Sequence, residues 1–329
     1  GKLPTSTVDS AWRDIKVYEN HVYIVSEAGG HGLQVFNLAK LRGLESKQIF
    51  SADYTDKSFG QAHNIAINED SGYAYVLGAR SKGLYAFDLS NPIAPKLELE
   101  RPEFGYSHDA QIVIYNGPDQ DYYQDDGTGN EIYFGSNEDR VDIIDVTNKL
   151  EPKLISTFNY DHQYTHQSWL TSDHKYALLG DEVDETTGNP NYELLADAKT
   201  RTIIIDLSDL DDPQPHYNYF AETKAIDHNG YVKGTEFFLA SYTVGLRVLD
   251  VLNIDQKSIS ETGFFNTYHA DDHSGIVEKT SSTKWSDPGD HVGKKGESEA
   301  FNGAWSVYPY FKSENIIISD INSGLFIVK

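Results

Sequence analysis

A short pattern of strands repeats along almost the whole chain, and this repeat limits the possible folds more than any other feature. In its clearest copy, residues 107–146, a histidine opens the first of three short strands and an aliphatic-Asp-aliphatic step closes the third. Further copies begin near His63, His166 and His228, and two copies without the histidine begin near residues 11 and 302. Regular self-similarity of this kind indicates a repeat architecture.

The residues inside each copy are typical of strands. Apolar and polar positions alternate, β-branched and aromatic residues are frequent, and Gly, Asn and Asp separate the runs. Short antiparallel sheets that recur in this way bury their faces by packing radially. We therefore predict an all-β chain that forms a six-bladed β-propeller of four-stranded antiparallel blades, in a single domain over residues 1–329.

The repeats set approximate blade boundaries. The six predicted blades cover residues 11–60, 61–106, 107–164, 165–224, 225–300 and 301–329. In the first blade, we expect a weak fourth strand near Gln48 to Ala52. The last blade has only three candidate strands, so either residues 1–10 or a segment beyond Lys329 would have to complete it. Pro4 restricts any strand in residues 1–10 to a sheet edge.

The charge of the chain favours cations over polyanions. Its 51 acidic and 27 basic residues give a net charge of −24, which repels phosphate backbones and anionic lipids. No apolar run approaches the roughly 18 residues that a membrane helix needs, and cysteine is absent. We expect no nucleic-acid partner, no insertion into a membrane, and a monomer.

Several of the repeated motifs resemble those of a known family. These motifs are the Trp-Arg-Asp-Ile-Lys-Val opening at residues 12–17, the His-Asn, His-Asp and His-Gln starts at His63, His108 and His166, and the Gly-Leu-x-Val-hydrophobic-Asp strand at residues 245–250. Over nearly the whole chain, they resemble the choice-of-anchor B family, which is built of LVIVD-type repeats. The resemblance implies a secreted or cell-surface bacterial propeller, and it implies no particular reaction.

The connectivity of a propeller blade predicts where polar side chains would meet. The first strand of a blade is entered from the same face on which its second and third strands are joined. Residues at blade starts and at the ends of second strands would therefore lie at one mouth of the central channel, where a small molecule, a glycan or a protein could bind. These residues are His63, Asn64, His108, Asp109, His166, Gln167, His228, Asn229, Glu27, Arg80, Asp181, Glu182, Tyr242, Asp320 and Trp305.

Two kinds of metal site are consistent with the sequence. A transition metal such as Zn²⁺ could bind His108, His166 or His228, with Asp181 or Glu182 supplying a carboxylate. The alternative is that these histidines form hydrogen bonds between neighbouring blades, since no close His-x-x-x-His spacing supports a metal. On the opposite face, an oxygen-rich loop suits Ca²⁺ but does not match an EF-hand, and a merely solvated loop is the alternative. The residues of this loop are Asp119, Asp121, Asp125, Asp126 and Glu131.

The connection between the fifth and sixth copies, residues 265–300, is much longer than ordinary loops. By topology it lies on the face of the channel histidines, so we expect either a lid or a solvated insertion. Its candidate binding residues are His269, Asp271, Asp272 and His273.

Three functions remain open at this stage, because no Gly-x-Ser-x-Gly elbow, phosphate-binding loop or His-Glu-x-x-His motif occurs. The first is an extracellular propeller that binds a ligand at its channel face and holds one or more cations. The second is a metal-dependent hydrolase or lyase at the same mouth. The third is a structural adhesin module.

Overall fold

The computed structural model describes residues 1–80, 83–186, 199–268 and 299–329. It confirms the predicted fold class: the chain is a six-bladed β-propeller of antiparallel sheets, one for each repeat. In the described residues, the first five blades have four strands and the sixth has three. The chain divides into two compact units, Gly1–Asn116 with Gln120–Thr157 and Gly117–Asp119 with Phe158–Lys329.

The first unit holds blades 1 to 3. Blade 1 contains β1 (Arg13–Tyr18), β2 (His21–Ser26), β3 (Leu33–Asn37) and β4 (Tyr54–Asp56). Blade 2 contains β5 (Asn64–Asn68), β6 (Tyr73–Leu77), β7 (Leu84–Asp88) and β8 (Lys96–Arg101). Blade 3 contains β9 (Asp109–Ile114), β10 (Glu131–Ser136), β11 (Val141–Asp145) and β12 (Lys153–Phe158).

The second unit holds blades 4 to 6. Blade 4 contains β13 (Thr165–Leu170), β14 (Tyr176–Asp181), β15 (Arg201–Asp206) and β16 (Gln214–Phe220). Blade 5 contains β17 (Gly230–Lys233), β18 (Glu236–Ser241), β19 (Gly245–Asn253) and β20 (Ser258–Phe265). Blade 6 contains β21 (Ala304–Tyr308), β22 (Ile316–Asp320) and β23 (Gly324–Val328). Short 3-10 helices lie at Leu38–Leu41, Pro102–Phe104, Gln120–Tyr122, Ile254–Gln256 and Glu299–Phe301.

The fourth strand of blade 1 differs from the prediction. It is β4, which pairs with β3 and follows the segment expected to form it. Gly32 explains this placement: its φ is +69°, and a Cβ there would lie 1.9 Å from the carbonyl oxygen of Asp56, so only glycine admits β4 this close. Ile49, inside the expected strand, forms an isolated parallel bridge with Lys2 instead. Residues 1–10 form no strand.

An aspartate near the end of the third strand has a structural role in blades 2 to 5. Its Oδ1 accepts a hydrogen bond from the backbone N–H two residues later, at 2.8–2.9 Å. In blades 2 to 4 this aspartate is the last residue of the strand, so the local bond makes an Asx turn that ends the strand, whereas β19 of blade 5 continues to Asn253. The aspartates are Asp88, Asp145, Asp206 and Asp250.

Neighbouring blades within each unit share their apolar cores. In the first unit, Tyr23 and Val35 of blade 1 pack in one buried cluster with Ile65 and Phe87 of blade 2. In the second unit, a cluster that includes Leu178 joins blades 4 and 5. Because the blade faces are buried by their neighbours, the first strands are held side by side with their starting residues close together.

Candidate metal centre

Blades 4 and 5 bring two predicted histidines together in the second unit. His166 is the second residue of β13, and His228 lies two residues before β17. Their rings stack at a tilt of 47°, with 4.2 Å between centroids. Both residues are almost completely buried, at 2% and 5% exposure. A tertiary contact between blades, and not a short sequence motif, therefore creates this pair.

The carboxylate of Glu182, the residue after β14, lies beside both rings. Its Oε2 is 3.8 Å from Nε2 of His166, and its Oε1 is 3.7 Å from Nε2 of His228. These distances are too long for hydrogen bonds, but they suit three ligands placed about 2.0–2.2 Å from a shared metal ion. We call His166, Glu182 and His228 the His-Glu-His group.

A backbone carbonyl and a tyrosine hydroxyl hold His228 and Glu182 in this arrangement. Nδ1 of His228 is 2.5 Å from the carbonyl oxygen of Trp305, so this nitrogen carries the proton. In the neutral ring, Nε2 then has a lone pair facing Glu182, and a backbone carbonyl at the second nitrogen is typical of a metal-bound histidine. The hydroxyl of Tyr242 donates to Oε1 of Glu182 at 2.6 Å.

The donor set determines which ion the group could hold. Two imidazole nitrogens and one carboxylate suit Zn²⁺ or a similar transition metal better than Ca²⁺, which prefers oxygen ligands. Three protein ligands also leave a fourth position for water or a ligand, as in catalytic zinc sites. The partly exposed side of the group is Glu182, whose side chain retains 15% of its accessible surface.

Of the two predicted carboxylates, the structure groups Glu182 with the histidines. Asp181 is completely buried, and it accepts hydrogen bonds from the backbone N–H groups of Gln163 and Tyr164 at 2.8 and 2.6 Å. Gln167 links the blades, since its Oε1 accepts from the N–H of Gly230 at 2.7 Å.

In the first unit, His63 and His108 form a similar stack, with centroids 4.3 Å apart and a tilt of 40°. Here Nδ1 of His63 is only 2.6 Å from Oε1 of Glu27, which is an ion-pair contact. Burial lowers the pKa of His63, but the hydrogen bond and charge of Glu27, with Asp109 and Asp14, raise it overall. This pair is therefore suited to hold a proton between histidine and carboxylate.

The remaining predicted mouth residues have local roles. Asn64 and Asp109 each accept a hydrogen bond from the next backbone N–H, at 2.7 and 2.6 Å. Asn229 donates to the carbonyl of Trp305 at 3.1 Å. Oδ1 of Asp320 accepts from the N–H groups of residues 322 and 323, which closes a turn. The side chain of Arg80 is exposed.

The predicted calcium loop has a different arrangement. The structure groups Asp119 with Asp209 and Asp211, and Oδ2 of Asp119 accepts from the N–H of Leu210 at 2.8 Å. Asp126 accepts from the N–H of Thr128, Asp121 lies in a 3-10 helix, and Asp125 is exposed.

Glu131 has a structural environment of its own. It is buried and forms an ion pair with Lys149 at 2.7 Å. It also accepts hydrogen bonds from Asn68, Ser71 and Tyr75. With all these donors around one carboxylate, Glu131 fastens blade 3 to blade 2.

The predicted lid residues His269, Asp271, Asp272 and His273 lie outside the described residues. The prediction of a lid stays a prediction.

Comparison with known proteins agrees with this architecture. Residues 59–100, which include most of blade 2, match the LVIVD repeat family. A crystal structure of a protein from Lactobacillus plantarum is similar over 100% of this chain and 86% of its own, with 12% identity and a TM-score of 0.57. A "putative 6-phosphogluconolactonase" from Bacteroides fragilis is similar over 96% of this chain and 86% of its own, with 12% identity and a TM-score of 0.53. At this identity, both similarities concern the fold alone.

No curated protein sequence matches the chain. In the described part of the chain, no helix is long and apolar enough to span a membrane.

Proposed function

We propose that this protein is an extracellular β-propeller that binds its ligand through a transition-metal ion held by His166, Glu182 and His228. The observation that carries the proposal is the placement of one carboxylate at 3.7–3.8 Å from Nε2 of two stacked, buried histidines. A direct ion pair would draw these atoms to hydrogen-bond distance, whereas a shared metal requires a gap of this size.

The surroundings of the group indicate what kind of ligand it would take. The open fourth position on the metal would accept an oxygen donor, such as a carboxylate or a sugar hydroxyl, from the side where Glu182 is partly exposed. The rings of Trp305 and Tyr242 lie 4.4 and 5.1 Å from the His228 ring and would provide apolar contacts beside the metal. A small acidic or glycan-like molecule fits this chemistry best.

The extracellular location rests on two further arguments. The LVIVD repeat match in blade 2 supports the resemblance of the whole chain to the choice-of-anchor B family, whose implied location is the bacterial surface or beyond it. The net charge of −24 also suits a protein that encounters divalent cations in its surroundings. Cell fractionation of the native host would test this location. Absence of the protein from the periplasmic and secreted fractions would count against it.

A second candidate function is hydrolysis at the same metal. A metal with three protein ligands can lower the pKa of a bound water molecule and generate a hydroxide nucleophile near neutral pH. Lactones and esters are the first substrates to test, since one similar structure carries the name of a lactone hydrolase. Turnover that persists after complete removal of the metal would exclude this function.

The proposal is tested with metal-stripped protein. We expect calorimetry with ZnCl₂ to show one tight site and CoCl₂ to give the visible absorption of tetrahedral Co²⁺. His228→Asn should abolish both signals, while His63→Asn, the matched change in the other stacked pair, should preserve them. Circular dichroism would verify that both variants are folded. The absence of stoichiometric binding to the wild-type protein would overturn the proposal.

A further inference from the structure

A second group of polar side chains lies in the first unit and comes from three successive blades. Its members are Glu27, the residue after β2, His63, the residue before β5, and Tyr106, three residues before β9. We call these three residues the Glu-His-Tyr site. All three are partly exposed, so a molecule in solution can reach them. The site shares no residue with the His-Glu-His group and does not depend on the metal proposed there.

The carboxylate of Glu27 fixes the tautomer of His63. Its Oε1 lies 2.6 Å from Nδ1 of the imidazole, and an ionised carboxylate only accepts, so Nδ1 carries the proton. In the neutral ring, Nε2 then holds the lone pair. The ring of His108, with its centroid 4.3 Å away, stacks on the imidazole and restricts its rotation. A carboxylate behind an oriented imidazole is the arrangement of a general base.

The proton-accepting nitrogen of a general base must be open to its substrate, and Nε2 of His63 meets this condition. Within the part of the chain that the structure describes, Nε2 has no hydrogen-bond partner, and it is not enclosed. The side chain of His63 retains 18% of its accessible surface. In contrast, Nε2 of His166 and Nε2 of His228 face Glu182, and both of these histidines are almost completely buried.

The hydroxyl of Tyr106 is a second open polar group beside the imidazole. A Cβ built on Gly78 would lie 2.5 Å from Cβ of His63 and 3.1 Å from the hydroxyl oxygen of Tyr106. The two side chains therefore approach one point, which glycine leaves empty. Among the described residues, the Tyr106 hydroxyl has no hydrogen-bond partner and is not enclosed. A tyrosine hydroxyl keeps its proton at neutral pH, so it can donate to an oxygen of a ligand.

The charges of the Glu-His-Tyr site favour an uncharged ligand. Within the described residues, Glu27 has no lysine or arginine partner, and the whole protein carries a net charge of −24. Phosphorylated and carboxylated molecules would therefore be repelled. A cationic ligand would pair with Glu27 and withdraw the carboxylate from His63. A small uncharged molecule avoids both effects.

We infer that the Glu-His-Tyr site is a metal-independent general-base site that removes a proton from the carbon next to the carbonyl group of a small uncharged hydroxycarbonyl compound, such as a simple sugar. The C–H bond breaks, its proton moves to Nε2 of His63, and its electron pair forms a C=C bond. The carbonyl π electrons move to oxygen, where the Tyr106 hydroxyl donates a hydrogen bond. Nε2 then returns the proton to that oxygen or to the neighbouring carbon, so the step needs no oxidant or reductant.

The first test uses the full chain in EDTA, with 5-nitrobenzisoxazole as the probe. This uncharged molecule loses one C–H proton to a base, and its ring then opens to leave the negative charge on oxygen. We expect saturable ring opening by the wild-type protein. His63→Gln should lower kcat/KM by about 100-fold or more, and Tyr106→Phe by about 10-fold. His21→Asn, a histidine change outside the site, should leave the rate unchanged, and circular dichroism would verify that each variant is folded.

Two further measurements examine the positioning residue and the substrate class. Glu27→Gln should lower kcat/KM and move the acid limb of the pH–rate profile to lower pH, because a carboxylate favours the protonated imidazole. In D₂O, wild-type protein should exchange the carbon-bound protons of dihydroxyacetone faster than His63→Gln does. Equal ring opening by wild-type protein and His63→Gln, or activity that EDTA abolishes, would overturn the inference. Ring opening without exchange in dihydroxyacetone would overturn the assigned substrate class.

Discussion

The two stacked histidine pairs show how one repeated feature acquires two different chemistries. His63 and His108 stack almost as closely as His166 and His228, at 4.3 and 4.2 Å between centroids. In both units, the nearby carboxylate follows a second strand directly. Glu27 approaches one nitrogen of His63 to 2.6 Å, whereas Glu182 stays 3.7–3.8 Å from both histidines. The position of the carboxylate therefore makes the His63 pair an ion pair and the His166–His228 pair a candidate metal site.

Two restraints explain the difference. The Tyr242 hydroxyl holds the carboxylate of Glu182, and the Trp305 carbonyl holds the ring of His228, so neither can move easily toward the other. Burial matters as well, because the side chain of Glu27 is 33% exposed and that of Glu182 only 15%. A partly exposed ion pair in direct contact already balances its charges, whereas a buried carboxylate beside two imidazoles gains from a metal ion.

The largest expected effect comes from exchanging the carboxylates for amides. Glu182→Gln should weaken zinc binding by about 100-fold or more, since the site loses its negatively charged ligand. Glu27→Gln, the corresponding change in the first unit, should leave zinc affinity unchanged. Calorimetry on both variants measures the contrast, and equal losses would show that the two pairs are not chemically distinct.

The restraint on Glu182 can be removed separately. Tyr242→Phe should reduce zinc affinity by about 10- to 100-fold, because outer hydrogen bonds orient the ligands of a metal. If orientation is the cause, the Co²⁺ spectrum should change shape as well as intensity. An unaltered affinity and spectrum would mean that the hydroxyl does not position Glu182.

The first pair depends on a glycine next to it. Gly78 has φ of +63°, and a Cβ there would lie 2.5 Å from Cβ of His63. Gly78→Ala should therefore reduce the free energy of unfolding by about 1–3 kcal/mol, through backbone strain and displacement of His63. Urea denaturation would measure the change. Gly234→Ala is a useful control, because its φ is similar but no atom lies within 4 Å of the added Cβ.

The smallest expected effect is a pH dependence specific to the first pair. The pKa of His63 is raised in the folded state, so folded protein binds more protons than unfolded protein near this pKa. The stabilisation is fully present below the unfolded value of about 6.5 and is lost as the pH rises through the folded pKa. The groups that face His63 are Glu27, Asp109, Asp14 and His108.

Glu27→Gln should remove this dependence, which we expect to amount to about 0.5 kcal/mol, typical of a partly exposed ion pair. Denaturation curves at several pH values compare the variant with the wild-type protein. A wild-type stability that rises with pH across this range would contradict the assignment.

The fold was accessible from the sequence because its signal is local and repeated. Strand alternation, turn residues and the closing aspartates such as Asp145 act over a few residues, and six copies reinforce one another. The shifted fourth strand of blade 1 was not accessible, since the close contact of Gly32 with Asp56 joins residues far apart in the chain. The grouping of Asp119 with Asp209 and Asp211 has the same cause.

The candidate site contains some features that the sequence predicts and others that depend on the packing of the blades. The repeat, the all-β propeller and the positions of the blade-start histidines could be predicted from the amino-acid sequence, because each follows from local periodicity. The contact of Glu182 with His166 and His228, and the binding of backbone amides by its neighbour Asp181, depend on how the blades pack together. Adjacent residues at a strand end point to opposite sides, and the packing of the next blade selects which side becomes a site.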